Sequence, residues 1–413
     1  MAAVSRGVLC AFAVAALCPV AAFAQFDSYD ALMADLMQRY NLPGGAVAVS
    51  RNGKLVFAKG YGLADRERKL PVRPDSLFRI ASISKPFTSA AVLKLVEQGK
   101  LHLDDKAFSY LSDLHPPKGR PVDSRLATIT IRQLLHHTGG WDRDVSFDPM
   151  FRSIVAAEAV GEPAPASCHT VIRYMLGQKL DFDPGTKYAY SNFGFCILGR
   201  IIERVSGVSY EEFVRREVLA PAGITRMKIG KSLQSDDAAR EVHYYSEGRV
   251  RSVFGSRDTR MGSLRDARVE WPYGGFDLEA MDSHGGWIAS AIDLVKFANA
   301  LDGRRGKPLL NAASLAELTS RPAAPLPQTP PAYYGLGWSV RPVGDGANWW
   351  HAGSLPGTAT LLVRAQNGFC WAAVFNSRPE GKNNLGGDID AGMWKAFSAV
   401  TSWPDTDSFS QFR

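Results

Sequence analysis

Cysteine is scarce in this chain, five residues in 413. Cys10 and Cys18 lie in an N-terminal stretch with the character of a removable leader, which leaves Cys168, Cys196 and Cys370. Three thiols make no disulfide framework, although an oxidising compartment could draw one bridge and one free thiol from them. Basic clusters interleaved with aromatics are absent too, and a net charge of +7 over this length is mild and spread out. That excludes nucleic-acid binding through a basic patch. The eight histidines include no H-E-x-x-H. His136 and His137 are adjacent, so they point to different sides of an element, and no metal site or cofactor is expected. A G-x-S-x-G is missing, which removes the nucleophile elbow of the α/β-hydrolases. No internal repeat is visible.

Long apolar runs are also few. Val8 to Ala22 follows the lone charge of Arg6 and precedes Ala22-Phe23-Ala24, an A-x-A cleavage pattern. Residues 1–24 therefore read as a secretory signal, with the mature chain beginning near Gln25. The run is too short to span a bilayer comfortably. Cys18 follows Leu17 rather than a small residue, which argues against a lipid-anchored product. A periplasmic or secreted protein with no stable membrane anchor is expected. Residues 25–413, with 46% hydrophobic content across the chain, suffice for one large domain or two closely packed ones.

Two strand patterns, Ala46 to Val49 and Leu55 to Ala58, flank Arg51-Asn52-Gly53, a hairpin signal. From Ile83 to Val96 the apolar spacing turns helical, with Pro86 tolerable in a first turn and Gly99 as a stop. Further helices are expected at Ile131–His136, Thr170–Leu176, Phe193–Val205, Tyr210–Leu219 and Ala289–Leu301. The Pro-rich break from Arg321 to Pro331 reads as a linker or surface crossing. Strand patterns return at Tyr333–Arg341, Trp349–His351, Ala359–Val363 and Phe369–Phe375, with Asn367-Gly368 as a second hairpin, before a helix near Gly387–Val400. Strands at both ends and helices between them predict an α+β fold. One antiparallel sheet is built from both chain ends and flanked by helices, with a mostly helical insertion over roughly 102–285.

Ser82-Ile83-Ser84-Lys85 is the only S-x-x-K in the chain. Three positions are about one helical turn, so the Ser82 hydroxyl and the Lys85 amine share a face. A serine hydroxyl needs a base to become a good nucleophile, and a desolvated lysine can serve. Tyr190-Ser191-Asn192 is the only Y-x-N and follows the turn signal Asp183-Pro184-Gly185. A tyrosine near an ammonium loses its proton more easily, and an amide can position a lysine or donate to a carbonyl. His351-Ala352-Gly353-Ser354 lies on a predicted strand, where Gly353 lets another backbone or a ligand approach closely.

In this order and spacing, the three motifs resemble the serine β-lactamase and penicillin-binding-protein superfamily. The likeness is to its class C β-lactamase-like branch, which includes family VIII carboxylesterases, D-aminopeptidases and DD-peptidases. Leu134-Leu135-His136-His137-Thr138-Gly139-Gly140, Gly285-Gly286-Trp287 and Tyr334-Gly335-Leu336-Gly337-Trp338 support it, over about Gly45 to Val400. The resemblance implies a β-lactamase/transpeptidase-like fold and an acyl-enzyme on Ser82. Lys85 would be its proton partner and Tyr190 the acid/base that also activates the deacylating water. Asn192, His351, Gly353 and Ser354 would line the substrate site, with the N–H groups of Ser82 and Ser354 as oxyanion hole. Whether Lys85 or Tyr190 is the acylation base stays open.

One departure matters. The family's third motif is often Lys-Thr-Gly, whose ammonium binds a substrate carboxylate. At position 351 stands a histidine, largely neutral at pH 7. That favours a small ester, amide or peptide substrate without an obligatory carboxylate, and an esterase or D-amino-acid peptidase over a β-lactamase or DD-carboxypeptidase. A lysine at 351 is then expected to raise turnover of carboxylate-bearing substrates. The non-enzyme alternative, a peptidoglycan-binding or scaffolding module, has no need of the Ser–Lys–Tyr set. Trp141-Asp142-Arg143-Asp144 reads as a loop held by its own charge pairs or as a rim of the cleft. Trp349 and Trp350 read as sheet packing, and Trp338 as a candidate cleft wall.

Overall fold

The computed structural model describes residues 26–233, 240–254, 267–323, 331–381 and 383–412. The expected signal segment and most of the Pro-rich break lie outside these residues. In chain order the elements are α1 (Asp27–Arg39), β1 (Gly44–Arg51), β2 (Lys54–Asp65), β3 (Leu70–Pro71), β4 (Phe78–Arg79) and α2 (Ser84–Glu97). Then come α3 (Ile131–Leu135), α4 (Ser153–Val160), α5 (Cys168–Leu176), α6 (Asn192–Ser206), α7 (Tyr210–Val214), β5 (Lys228–Ile229), β6 (Arg249–Arg251) and β7 (Arg268–Glu270). The chain continues with β8 (Trp287–Ala289), α8 (Ala291–Leu301), α9 (Ala312–Leu318), β9 (Tyr333–Tyr334), β10 (Ser339–Val343), β11 (Gly346–Leu355), β12 (Thr358–Arg364), β13 (Phe369–Phe375) and α10 (Leu385–Ala399).

The main sheet has the order β3-β2-β1-β13-β12-β11-β10-β9, and the pairings along it are antiparallel. β1 lies against β13 from Gly45↔Phe375 to Arg51↔Phe369, so the two chain ends meet in the middle of one sheet, as the strand patterns predict. Alternation divides each central strand between two cores. Ala46, Ala48, Cys370, Ala372 and Val374 face the large core shared with α2, α6 and α8. Val47, Val49, Trp371, Ala373 and Phe375 face the other side, where Tyr29, Met33 and Leu36 of α1 and Ile389 and Met393 of α10 cover them. Burial on both faces explains why these strands read as unbroken apolar runs. Each large side chain so removed from water contributes about 1.5–3 kcal/mol.

Three expectations are refined. α1 has no counterpart in the pattern reading. The helix expected from Ala289 begins at Ala291, because Ser290 and Asp293 form a capping box, and Trp287–Ala289 instead pairs with β4 and β5. The helix from Tyr210 is α-helical only to Val214 and continues as a π turn to Leu219. The cysteine question resolves as a Cys168–Cys196 disulfide joining α5 to α6, with Cys370 free and buried.

Candidate active site

Ser82 sits in a short 3₁₀ turn, Ala81–Ile83, immediately before α2. Lys85 follows three residues on, in the first turn of α2, and its Nζ lies 3.0 Å from Ser82 Oγ. Ala81 has a positive φ of 48°, unusual for a residue with a Cβ. Surrounding bonds hold that turn: Ile80 N–H donates to Trp287 O, and Thr360 Oγ1 donates to Ile80 O. Strained backbone persists only where its environment over-determines it.

Lys85 is fully buried. Besides Ser82, its Nζ reaches Asn192 Oδ1 at 2.7 Å and His284 O at 2.9 Å. Burial pushes its pKa well below the usual lysine range, Asp148 pulls it back up, and Arg143 lowers it further. A neutral amine has two N–H donors and one lone pair. In that form the two carbonyl oxygens would take the donors, leaving the lone pair for the Ser82 hydroxyl.

Tyr190 and Asn192 come from the turn into α6. Ser191 caps that helix, its Oγ accepting from Gly194 N–H at 3.2 Å, while its own N–H donates to His137 Nδ1 at 3.1 Å. The Tyr190 ring packs 4.3 Å from His137 and 4.7 Å from Lys85 Nζ. Burial drives the pKa of its hydroxyl well above the ordinary phenol range, against an opposing pull from the neighbouring Ser82 side chain. The expected Ser82, Lys85, Tyr190 and Asn192 therefore converge from two segments about a hundred residues apart.

The third motif is placed differently from expectation. β10 pairs with β11 only over Gly346–Trp350, so the rest of that β11 edge is left free of β10. A Cβ at Gly353 would lie 2.2 Å from Ile80 O and 2.3 Å from Thr360 Oγ1. Gly353 thus serves close backbone packing behind the Ser82 turn rather than contact with a ligand. His351 is buried beside Tyr190 and absent from the cleft wall. Its Nδ1–H donates to Ala352 O at 2.7 Å, and its Nε2 accepts from the Tyr334 hydroxyl at 2.9 Å. Burial lowers its pKa to about 3. A neutral imidazole with both nitrogens occupied cannot bind a substrate carboxylate, which corrects its expected substrate role. Ser354 does line the cleft, with its Oγ accepting from Arg378 at 2.6 Å.

The cleft beside Ser82 has a volume of ≈ 270 Å³, and Asn192, His284, Trp271 and Ser354 are among its walls. A larger cavity of ≈ 920 Å³ shares no residue with it. Pattern reading missed two partners of the lysine network. One is the carbonyl of His284, which directly precedes Gly285-Gly286-Trp287. The other is Asp148, whose Oδ2 accepts from Asn192 Nδ2 at 2.6 Å. In sequence Asp148 signals only a turn cap before Pro149, a role it also fills. Among the described residues, no group of acidic, histidine or cysteine side chains is suited to a metal ion.

Residues 29–390 match the family model for Beta-lactamase. The chain belongs to the beta-lactamase family. Among curated proteins, it is 30% identical over 196 residues to Protein flp of Staphylococcus aureus (strain COL), covering 48% of this chain and 36% of that protein. It therefore spans little more than a third of that relative's length. Over the known structures, it resembles D-amino acid amidase from Ochrobactrum anthropi SV3 with a TM-score of 0.68 and 22% identity, covering 92% of this chain and 100% of that one. An octameric penicillin-binding protein homologue from Pyrococcus abyssi gives a TM-score of 0.65 and 24% identity, covering 85% and 73%. At such identities the likeness is one of fold. The antiparallel sheet with its helices is thus the β-lactamase/transpeptidase-like α+β arrangement.

Proposed function

We propose that this protein is an exported hydrolase that forms an acyl-enzyme on Ser82 and releases it to water, acting on ester or amide bonds. The observation that carries the reading is the lysine site: Lys85 Nζ lies 3.0 Å from Ser82 Oγ, with Asn192 and His284 taking its other contacts. Lys85, its pKa lowered by burial, takes the Ser82 proton as Oγ attacks the carbonyl carbon. Tyr190, its pKa raised by burial, is the protonated partner that donates to the leaving group as the acyl bond breaks. This assigns the acylation base to Lys85. The N–H groups of Ser82 and Ser354 receive the oxyanion, each such donor contributing about 10²–10³ in turnover. Water then attacks the acyl carbon with Tyr190 taking its proton, and the Oγ–acyl bond breaks as Lys85, 3.0 Å away, returns its proton to Ser82 Oγ and frees the acid.

The neutral, enclosed His351 supports esters or amides over β-lactams. The Ochrobactrum neighbour, an amidase of D-amino acids, makes amides the second substrate class to test. The Cys168–Cys196 disulfide agrees with an oxidising, periplasmic or extracellular location. The test compares kcat/KM on a short-chain p-nitrophenyl ester, a D-amino-acid amide and a chromogenic cephalosporin, with Ser82→Ala as control. Ester or amide turnover that vanishes in Ser82→Ala is expected. Dominant cephalosporin turnover would move the assignment to a β-lactamase, and a Ser82→Ala protein of full activity would overturn it.

A further inference from the structure

We propose that Arg143 selects substrates whose leaving group carries a carboxylate; this rests on the Ser82 acyl-enzyme reading above. The third motif offers no cation, since His351 is neutral and buried beside Tyr190. A cation is instead supplied by the loop Trp141-Asp142-Arg143-Asp144. The loop is braced without Arg143: Asp142 pairs with Lys187 at 2.5 Å, Asp142 N–H donates to Asp181 Oδ2 at 2.7 Å, and Asp144 N–H donates to Asp142 Oδ1 at 3.0 Å. Arg143 is exposed, and its guanidinium rests 5.0 Å from the centre of the Tyr190 ring. Among the described residues no carboxylate forms an ion pair with it.

The cleft wall contains Arg143 and Arg378 but no aspartate or glutamate. Arg378 is already committed, to Ser354 Oγ and to Glu380. The nearby Asp148 is engaged by Asn192 and is not part of the wall. Arg143 is therefore the uncommitted charge of the cleft. Its place over Tyr190, the proton donor to the departing group, puts it on the leaving-group side. A planar guanidinium matches a carboxylate through two parallel N–H donors. The same positive wall disfavours a leaving group bearing a fixed positive charge.

The test uses three phenylacetate esters of meta-substituted phenols, bearing a carboxylate, a carboxamide or a trimethylammonium. Each enzymatic kcat/KM is divided by the ester's rate of hydroxide hydrolysis to remove leaving-group acidity. The wild-type enzyme should prefer the carboxylate over the carboxamide about tenfold, the scale of a charge-assisted contact, with the trimethylammonium ester slowest. Added salt should erode that order. Arg143→Gln should bring the ratios close to one, mainly through KM, and Arg143→Lys should keep part of the preference. No preference in the wild type, or an unchanged ratio in Arg143→Gln, overturns the proposal. So does an equal loss on all three esters, which would mark an effect on Tyr190 or Lys85 instead, or collapse of the ratio in Arg378→Gln but not in Arg143→Gln. Ser82→Ala, which should abolish all three hydrolyses, separates failure of this proposal from failure of the acyl-enzyme reading.

Discussion

Asp148 holds the amide of Asn192 in one orientation: Asn192 Nδ2 donates to Asp148 Oδ2 at 2.6 Å, so Asn192 Oδ1 is turned to Lys85 Nζ at 2.7 Å. The direction of the Lys85 lone pair therefore depends on a carboxylate that does not itself touch the lysine. Asp148→Ala should lower kcat by about 10²-fold, the scale of a misplaced catalytic group, with little change in thermal stability. Asp148→Asn retains an acceptor for the amide and should lose much less. Its charge is still gone, and that charge raises the Lys85 pKa against burial and Arg143. Without it the neutral amine persists to lower pH, so the acid limb of the kcat/KM profile should move down in pH. An unmoved limb in Asp148→Asn would remove the electrostatic part of the argument.

Ser82→Ala should abolish turnover while leaving the folded protein intact, because Ser82 is only partly buried and its Oγ fills no core space. Tyr190→Phe should cost about 10²–10⁴ in kcat through lost proton transfer. Full activity in Tyr190→Phe, measured on the p-nitrophenyl ester, would take the phenol out of the mechanism.

His351→Lys should not raise turnover of carboxylate-bearing substrates, contrary to the expectation from sequence. The site is closed, and the imidazole bonds the Tyr334 hydroxyl and Ala352 O. An ammonium there would be buried without a counter-ion, a loss of several kcal/mol in stability. A lowered melting temperature with no gain in carboxylate preference is the expected outcome.

Gly353→Ala places a Cβ 2.2 Å from Ile80 O, on the turn that carries Ser82. Backbone must shift to admit it, at a cost of about 1–3 kcal/mol, and kcat should fall along with the melting temperature. Unchanged kinetics and melting would show that β11 tolerates a wider spacing.

Reduction of the Cys168–Cys196 bridge, which spans 28 residues of chain, should lower stability by about 3–4 kcal/mol on the loop-entropy model. Because α6 also begins at Asn192, activity should fall as α5 and α6 loosen. Denaturant midpoints with and without reductant measure the first effect, and initial rates the second.

The amino-acid sequence by itself determined the sheet from both chain ends, the main helices and the pairing of Ser82 with Lys85, to which the family resemblance added Tyr190 and Asn192. Those features are local: alternation in Val47-Ala48-Val49, helical spacing after Ile83, and a serine and lysine one turn apart. Only tertiary structure decided the surroundings. Asp148 reads as a turn cap until α6 is packed beside it, and His284 acts through a carbonyl that any residue would possess. His351 has the motif position of a ligand-binding residue, yet the packing of Tyr334 and Tyr190 encloses it. Arg143 has two acidic neighbours in sequence and pairs with neither, because Asp142 turns to Lys187 and leaves the guanidinium on Tyr190. Periodicity and motif spacing record what a residue does for its own segment. Which group it meets across the cleft depends on how distant segments pack, and that fixes both the proton affinity of Lys85 and the free charge at the mouth of the site.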